Sequence, residues 1–356
     1  MDPTNNQGIW IESAAGVQLV ARTGDHAPGA PVGANFNSIS VPTLNTAGKT
    51  VFVARLGGSG VDATNDSGIW SDTAGVSSLV VREGSRAPGT SEGVVFRSHD
   101  DPNDPGEFQP AFIQPVLNSA GQTSFFGTLS GGDVNGTNGK GLWSESSGSL
   151  ELVARTGSHA PGTAADVSFV SMFGLAMNAA GQTALKAHAG VNSIDFSGLW
   201  ATDVNGTLQL VARTGVTLEV APSDFRMIND VSFLAESAVG TGNDDGVSTG
   251  FNDRGQLAFE AHFTDGTSGI FVSDAVLNDG VLPGDFNKNG VVDGADYAVW
   301  RKTYSGEQAG YNVWRTNFGR SSWGSGAVAA VPEPSSVFLC GLAVLGAVGL
   351  RKSRQS

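Results

Sequence analysis

Three short sequence patterns recur along the chain in a fixed order, and this repetition limits the fold more than any other feature does. One is a glycine followed by an aliphatic and an aromatic residue, one is Leu-Val-x-Arg, and one is Asn-x-x-Gly followed by an apolar run. The third pattern begins in steps of 73, 60 and 74 residues at Asn45, Asn118, Asn178 and Asn252. A shared order at a nearly constant period predicts a repeat architecture, in which neighbouring units bury each other's apolar faces.

Each repeat is predicted to be a set of β-strands joined by tight turns. Residues 45–48 form a turn sequence, because Asn and Gly tolerate positive φ, and residues 50–54 follow as an apolar run. Residues 68–71 and 78–82 then form a hairpin, and a short run at residues 94–96 completes four strands, the number in a propeller blade. We therefore expect a mainly β repeat domain, most simply a β-propeller, with a β-solenoid or a sandwich as the alternatives. This domain is predicted to cover residues 1–275.

The side chains that recur in the repeats are interpreted as structural. The aromatic residues of the first pattern are predicted to fill the core at Trp10, Trp70, Trp143 and Trp200. The repeated arginines are predicted to bond to carbonyls or a carboxylate between units, with an anion-binding ring as the alternative, at Arg22, Arg82, Arg155 and Arg213. His26 and His159 hold equivalent loop positions, but Arg86 replaces them in the second copy. A ring of metal-binding histidines would not tolerate that replacement, so we expect these histidines to bond to the backbone.

The charge and the cysteine content exclude two classes of site. The net charge is −14, whereas binding to nucleic-acid phosphates needs a basic face, so no nucleic-acid partner is expected. The one cysteine, Cys340, allows neither a disulfide within the chain nor a zinc site built from cysteine and histidine. An acidic surface is normal for a secreted soluble protein and also suits Ca²⁺.

A segment after the repeats has oxygen donors at the spacing of a calcium loop. Counted from Asp285, the donors fall at positions 1, 3, 5, 7, 9 and 12, and Gly290 stands at position 6, where such a loop bends sharply. A hard cation takes six to eight oxygens at staggered positions of this kind. The predicted ligands, with a backbone carbonyl at position 7 and a water-mediated contact at position 9, are Asp285, Asn287, Asn289, Val291, Asp293 and Asp296.

This segment resembles the dockerin calcium module, because its closing residue is an aspartate and a helix begins inside the loop. Dockerins carry two loop-helix halves, and here residues 311–318 copy residues 297–304 at a spacing of 14, without a second loop. The resemblance implies a truncated module over residues 283–320 that holds one Ca²⁺ as its cofactor. Trp300 and Trp314 are expected to pack the two helices together.

The end of the chain has the three parts of a sorting signal. After a linker at residues 321–331, a Pro-Glu-Pro sequence precedes an apolar run over residues 337–350 and a basic end. The run has 14 residues, fewer than the roughly 20 of a stable membrane span, and the basic end is typical of a cytoplasmic stop. Residues 332–356 resemble the PEP-CTERM sorting signal of Gram-negative bacteria. The residues that carry the resemblance are Pro332, Glu333, Pro334, Arg351, Lys352 and Arg354.

The tail resemblance implies export with an exosortase-type sorting enzyme as partner. In that family the tail forms a short C-terminal membrane helix, which inserts transiently into the membrane and is removed at export. Residues 1–7 lack the apolar stretch of a signal peptide, and the chain enters the first repeat part-way. We therefore hypothesise that a signal peptide and part of a repeat precede Met1.

Taken together, the repeats, the calcium loop and the tail resemble the exported bacterial choice-of-anchor tandem-repeat proteins. The resemblance implies a location in the cell envelope or outside the cell. Two functions follow as hypotheses. The first is a structural or binding protein of the surface or matrix, with a glycan or protein ligand, and the second is a secreted polysaccharide-acting hydrolase or lyase on a propeller scaffold.

The sequence patterns that resemble catalytic motifs lack the context that catalysis needs. They therefore favour the first hypothesis, and we expect that the chain is not an enzyme. The Gly-x-Ser-x-Gly pattern occurs at residues 89–93 and 246–250, but neither copy is followed by the helical pattern that a nucleophile elbow requires. The acidic residues between 100 and 107 are interpreted as a solvated loop rather than as the carboxylate pair of a glycosidase.

Overall fold

The computed structural model describes most of the repeat region and part of the segment that follows it. The described ranges are residues 5–13, 16–73, 76–100, 108–191, 194–234, 249–276, 284–287, 291–303, 310–311, 314–315 and 318–319. The chain divides into two compact units, Met1–Gly280 and Val281–Ser356. The prediction of a mainly β protein is confirmed.

The first unit is built of consecutive strands. Their bounds are β1 Gly8–Ser13, β2 Gly16–Arg22, β3 Ala34–Ile39, β4 Thr43–Leu44, β5 Thr50–Gly58, β6 Ser67–Thr73, β7 Val76–Arg82, β8 Val95–Phe96, β9 His99–Asp100, β10 Phe108–Gln109, β11 Phe112–Leu117, β12 Thr123–Ser130, β13 Lys140–Ser144, β14 Glu151–Arg155, β15 Ser168–Met177, β16 Thr183–Val191, β17 Ile194–Thr202, β18 Leu208–Arg213, β19 Thr217–Ala221, β20 Asp224–Phe233, β21 Leu257–Phe263 and β22 Ser268–Ser273.

Each repeat forms an antiparallel sheet whose strands follow one another in chain order. The three complete sheets are β3-β5-β6-β7, β11-β12-β13-β14 and β15-β16-β17-β18, with β4 added to β5 and β8 added to β12. The first repeat contributes the hairpin β1-β2 alone, and the last forms β19-β20-β21-β22. The predicted strand at residues 94–96 therefore pairs with the following sheet, through Val95–Phe96 and β12.

The Asn-x-x-Gly turns tie successive repeats together. Asn178 accepts the backbone N–H of Gln182 at 3.0 Å, and its amide donates to the carbonyl of Asn252 in the next repeat at 3.0 Å. Asn45 donates to the carbonyl of Asn118 at 2.7 Å, and Asn118 donates to that of Asn178 at 3.4 Å. We call this chain of side-chain to backbone bonds, from Asn45 to Asn252, the asparagine ladder.

The apolar core lies between successive sheets. Val51 and Phe52 are neighbours in β5, and neighbouring side chains of a strand point to opposite faces. Phe52 packs in a cluster with Ile9 of the hairpin β1-β2, whereas Val51 packs with Phe96 and Phe125 of the following sheet. A sheet that is covered on both faces needs apolar residues at consecutive positions, which explains the apolar runs after each turn.

Three of the four repeated tryptophans confirm the core prediction, and one contradicts it. Trp70, Trp143 and Trp200 are fully buried. Trp10 is 57% exposed, so the prediction is wrong for this position. It lies on the first hairpin, on a face that no other sheet of the described chain covers.

The second unit contains one helix with defined bounds among its described residues, α1 Gly294–Thr303. Asp293 precedes it and accepts the N–H of Ala295 at 2.7 Å, as an N-capping residue does. The ring of Trp300 lies 5.8 Å from that of Tyr311, and the ring of Trp314 lies 5.0 Å from that of Tyr297. The prediction that the two tryptophans pack the two helical segments together is confirmed.

The sorting tail and the linker lie outside the described residues. This holds for residues 321–331 and for all predicted sorting residues in 332–356. Within the described part of the chain, every helix is too short or too polar to span a membrane.

Candidate functional sites

The predicted calcium loop is organised around a buried aspartate. The carboxylate of Asp296 is fully buried. Its Oδ1 accepts the N–H of Asn287 at 2.9 Å, and its Oδ2 accepts the N–H of Asp293 at 2.8 Å. These two bonds bring positions 3, 9 and 12 of the loop together. Each carboxylate oxygen has a further lone pair, so both can still serve a cation.

The loop could bind a hard cation only with ligands of several kinds, namely carboxylates, a side-chain amide oxygen and a backbone carbonyl. Within the described residues, no three side chains of His, Cys, Asp or Glu converge as metal ligands. A site here would therefore need the side-chain amide oxygen of Asn287 and the backbone carbonyl of Val291 in addition to the carboxylates. Calcium loops use ligands of these kinds. The predicted ligand Asn289 lies outside the described residues.

The second helical segment is bonded directly to this loop. The indole N–H of Trp314 donates to the carbonyl of Asp293 at 2.7 Å. The N–H of Gly319 donates to the carbonyl of Val292 at 2.8 Å. Val292 itself is fully buried. The copied helix thus supports positions 8 and 9 of the loop, although its own loop is missing from the sequence.

The repeated arginines each have a local partner. Arg82 donates to the carbonyl of Asn65 at 2.9 Å, and Arg22 forms an ion pair with Asp25 at 2.8 Å. Arg155 donates to the carbonyl of Asn138 at 2.9 Å. The guanidinium of Arg213 lies 4.7 Å from the centre of the Phe196 ring. The interpretation of these arginines as structural residues is confirmed, but the prediction that they bond between units is wrong, because the contacts of each guanidinium given above lie within its own repeat.

The loop histidines also behave as predicted. Nδ1 of His26 lies 2.9 Å from the carbonyl of Ala34, and Nδ1 of His159 lies 3.0 Å from the carbonyl of Val167. The first bond reaches the first residue of β3, and the second reaches the residue directly before β15.

The serine of the first Gly-x-Ser-x-Gly pattern lies in a turn. Ser91 donates a hydrogen bond to Asp133, and residues 92–100, which follow it directly, contain no helix. The pKa of the Asp133 carboxyl is lowered, first by this bond and then by the bond from Arg155. The serine of the second pattern and residues 101–107 of the acidic segment lie outside the described residues.

One group with the composition of a catalytic triad was missed by the sequence reasoning. Ser171, His188 and Asp195 come from β15, β16 and β17, which are neighbours in one sheet. Ser171 Oγ lies 3.3 Å from Nδ1 of His188, and Asp195 Oδ2 lies 4.0 Å from the same nitrogen. A triad needs the serine and the carboxylate on opposite ring nitrogens, so this arrangement does not relay a proton to a nucleophile. Only the strand register brings these residues together, so no sequence spacing could have revealed them.

A small pocket opens between the second and third complete sheets. Its volume is about 210 Å³, and its lining includes Phe126, Met172 and Phe173. Lys140 is the one charged residue in this lining. The pocket is therefore mainly apolar, and Thr128 and Lys140 are the polar side chains in its lining.

The comparisons with known proteins match both the repeats and the tail. The model of a family of unknown function (DUF7453) matches residues 1–277. The model of the PEP-CTERM protein-sorting motif matches residues 330–355. A search of the curated proteins finds no match. The choice-of-anchor and dockerin resemblances gain no support here and stay predictions.

Solved structures resemble the chain only weakly. Zg3597, a family 117 glycoside hydrolase from the marine bacterium Zobellia galactanivorans, is 11% identical over 72% of this chain and 71% of that chain, with a TM-score of 0.26. A hypothetical protein from Leishmania major is 10% identical over 70% and 88%, with a TM-score of 0.22. MPT-4, a mannose phosphorylase from Leishmania mexicana, is 8% identical over 69% and 85%, with a TM-score of 0.21. Similarity at this level supports neither a shared fold nor a shared activity.

Proposed function

Because the chain belongs to the family of unknown function DUF7453 and carries a PEP-CTERM sorting motif, we propose that it is a structural or binding protein of the cell surface or matrix. The motif supports export to the cell envelope or surface, and exosortase-type enzymes recognise it. The tail at residues 330–355 is the observation that carries this proposal.

The repeat unit suits a structural or binding role. Its sheets are covered on both faces in the interior of the unit, and the asparagine ladder joins each repeat to the next. A body of this kind is stabilised by many similar contacts between neighbours. The four-stranded sheets have the strand number of propeller blades, but a propeller arrangement stays a prediction.

The sorting step can be tested with the tail residues. We expect cells that contain an exosortase to release a form of the protein without its tail at the surface. Replacing Pro332, Glu333 and Pro334 by alanine should leave a full-length form in the membrane fraction, as judged by intact mass and cell fractionation. Ser353→Ala, in the basic end, is the matched control and should be processed like the wild type. Equal processing of all three proteins would contradict the proposal.

We also propose that the loop after the repeats binds one Ca²⁺. The ligand spacing from Asp285 to Asp296 supports this, as does the closure of the loop by the buried carboxylate of Asp296. The bound ion would supply positive charge that stabilises the loop and α1. No reaction step is assigned to it.

Calorimetric titration of the full chain with Ca²⁺ tests the loop. We expect one site in the wild type, loss of that site in the double variant Asp285→Ala/Asp296→Ala, and retention in Glu92→Gln, an exposed acidic residue of the repeat unit. A glycan panel on the same material tests for a ligand of the repeats, whose binding should survive the double variant. Absence of any Ca²⁺ binding by the wild type would refute the loop assignment.

The alternative function, a polysaccharide-acting hydrolase or lyase, stays a hypothesis. The weak similarity to a family 117 glycoside hydrolase, at a TM-score of 0.26, adds nothing to it.

A further inference from the structure

One cross-strand pair carries a basic side chain in each of four sheets. It lies at the tenth residue after the asparagine of the Asn-x-x-Gly turn. In three sheets the pair joins a basic residue to a serine, namely Arg55 to Ser67, His188 to Ser197 and His262 to Ser268. In the second complete sheet the pair joins Thr128 to Lys140, so the basic side chain comes from the opposite strand.

The basic side chain lies against a carboxylate in the first three of these pairs. The contacts and their N–O distances are Arg55–Asp66 at 3.2 Å, His188–Asp195 at 4.0 Å and His262–Glu260 at 3.2 Å. Lys140 differs, because its ammonium group has no hydrogen-bond or ion-pair partner within the part of the chain that the structure describes. The residue before it is Gly139, where the first complete sheet has Asp66.

This lysine lines the pocket between the second and third complete sheets. Phe126, another lining residue, belongs to the apolar core between these sheets, and Ile113 and Met172 pack against that core. Phe173 also lines the pocket and is 38% exposed. The lining therefore extends from the core to the surface, and a small molecule can enter from solvent.

A short side chain beside the lysine leaves room for a ligand. The first complete sheet has Arg55 where the second has Thr128. The hydroxyl of Thr128 donates to the carbonyl of Pro110 at 2.8 Å. Lys140 is therefore the side chain of this lining that can still donate hydrogen bonds. The pocket combines an apolar interior with one cation.

The volume and the lining indicate the chemical class of the ligand. An apolar cavity of about 150 Å³ holds a benzene molecule. The pocket volume of about 210 Å³ thus accommodates one aromatic ring with a short arm. Phe126 and Phe173 offer ring contacts and Met172 offers a sulfur contact, and both kinds of contact favour an aromatic ring. An ammonium group such as that of Lys140 forms its strongest hydrogen bonds with a carboxylate.

We propose that this pocket binds a small aromatic carboxylate, whose ring lies between the two sheets and whose carboxylate pairs with Lys140. The ligand supplies the negative charge that Asp66 supplies to Arg55 in the first complete sheet. The ligand is a free small molecule, because the volume holds one ring and one short arm. The proposal rests on the repeat unit alone and is independent of the sorting motif and the calcium loop.

Titration of the full chain with 3-phenylpropionate, followed by ligand-detected NMR, tests the site. The neutral analogue is 3-phenylpropan-1-ol, and the cationic analogue is 3-phenylpropylamine. We expect the wild type to bind the carboxylate about tenfold more tightly than the alcohol, since a hydrogen bond to a charged group is lost with the alcohol. The amine should bind no more tightly than the alcohol. Nonspecific attraction to a chain of net charge −14 would instead favour the amine.

Three variants locate the binding. Lys140→Gln should bind the carboxylate about tenfold more weakly than the wild type and bind the alcohol equally well, because it removes the charge and keeps the apolar walls. Phe173→Ala removes part of a wall and should weaken the binding of both ligands by a similar factor. Lys49→Gln is the matched control and should bind like the wild type, because Lys49 donates to the carbonyl of Ala120 and does not line the pocket.

Four results would overturn the proposal. Two concern the wild type, namely no binding of 3-phenylpropionate and equal binding of the alcohol. Two concern the variants, namely tight carboxylate binding by Lys140→Gln and unchanged binding of both ligands by Phe173→Ala. An equal loss of carboxylate binding in Lys49→Gln and Lys140→Gln would count with these, because the preference would then reflect the overall charge. The comparison of ligands on the wild type needs no substitution, so it tests the proposal even if a variant fails to fold.

Discussion

The asparagine ladder predicts a large difference between two substitutions in the same sequence motif. Asn178 and Asn252 both begin an Asn-x-x-Gly turn, and both accept a backbone N–H four residues on, at 3.0 and 2.9 Å. Asn178 is 3% exposed and donates across to the next repeat. The side chain of Asn252 is exposed and bonds within its own turn. The two variants therefore differ in the burial of the asparagine side chain and in its hydrogen bond to the next repeat.

The expected changes in the free energy of unfolding follow from the hydrogen-bonding groups that each substitution leaves without a partner. Asn178→Ala leaves the N–H of Gln182 buried without its acceptor, which costs about 1–3 kcal/mol. It also removes the donors to the Gln182 side chain and to the Asn252 carbonyl, at about 0.5–1.5 kcal/mol each. We expect a loss of about 3 kcal/mol in the free energy of unfolding. For Asn252→Ala, water replaces the lost partners, and the loss should be about 1 kcal/mol or less.

Urea unfolding of both variants, followed by tryptophan fluorescence, measures this difference. The slope of the free energy against urea concentration should be unchanged, so the midpoints report stability directly. Equal losses for the two variants, within about 0.5 kcal/mol, would refute the reasoning, because burial and the bond between repeats would then contribute nothing.

Two further pairs of substitutions test the packing of the repeats by the same unfolding assay. Gly89 has φ 75° and an added Cβ would lie 2.7 Å from the Cβ of Leu152, whereas Gly206 has φ 78° and open space around it. Gly89→Ala should therefore cost about 1–3 kcal/mol more than Gly206→Ala, and equal costs would contradict the close approach of turn and leucine. Glu83 is 1% exposed and accepts the N–H of Ser98 at 2.8 Å, so Glu83→Ala should cost about 1–3 kcal/mol. Glu83→Thr introduces the residue that the other repeats have at this position, and it should cost less than the alanine variant. The reverse order would show that the hydroxyl cannot replace the carboxylate.

Local sequence patterns predicted much of the repeat unit. The turns from Asn45 onward, the hairpins and the structural roles of arginine and histidine all depend on bonds between residues that are near in the chain. The strand at residues 94–96 was predicted, but its assignment to the following sheet was not. A strand's partner depends on where the chain returns after a turn, and periodicity does not contain that information.

The sequence also predicted only some features of the calcium loop. The ligand spacing and the helix start inside the loop are local features, and α1 does begin inside the loop, at Gly294. The bond from Trp314 to Asp293 joins the second helical segment to the loop and could not be predicted from the copied residues alone.

The sequence by itself determined the repeats, their β-strands, the net negative charge and the sorting motif, because composition and short-range pattern are sufficient for each. Only the tertiary structure decided which repeated side chains are covered. Trp10 and Trp70 have the same local sequence, but Trp70 has a turn packed on it and Trp10 is open to solvent. The physical reason is that a side chain is buried only where a second surface packs against it. That second surface comes from a distant part of the chain or from another molecule.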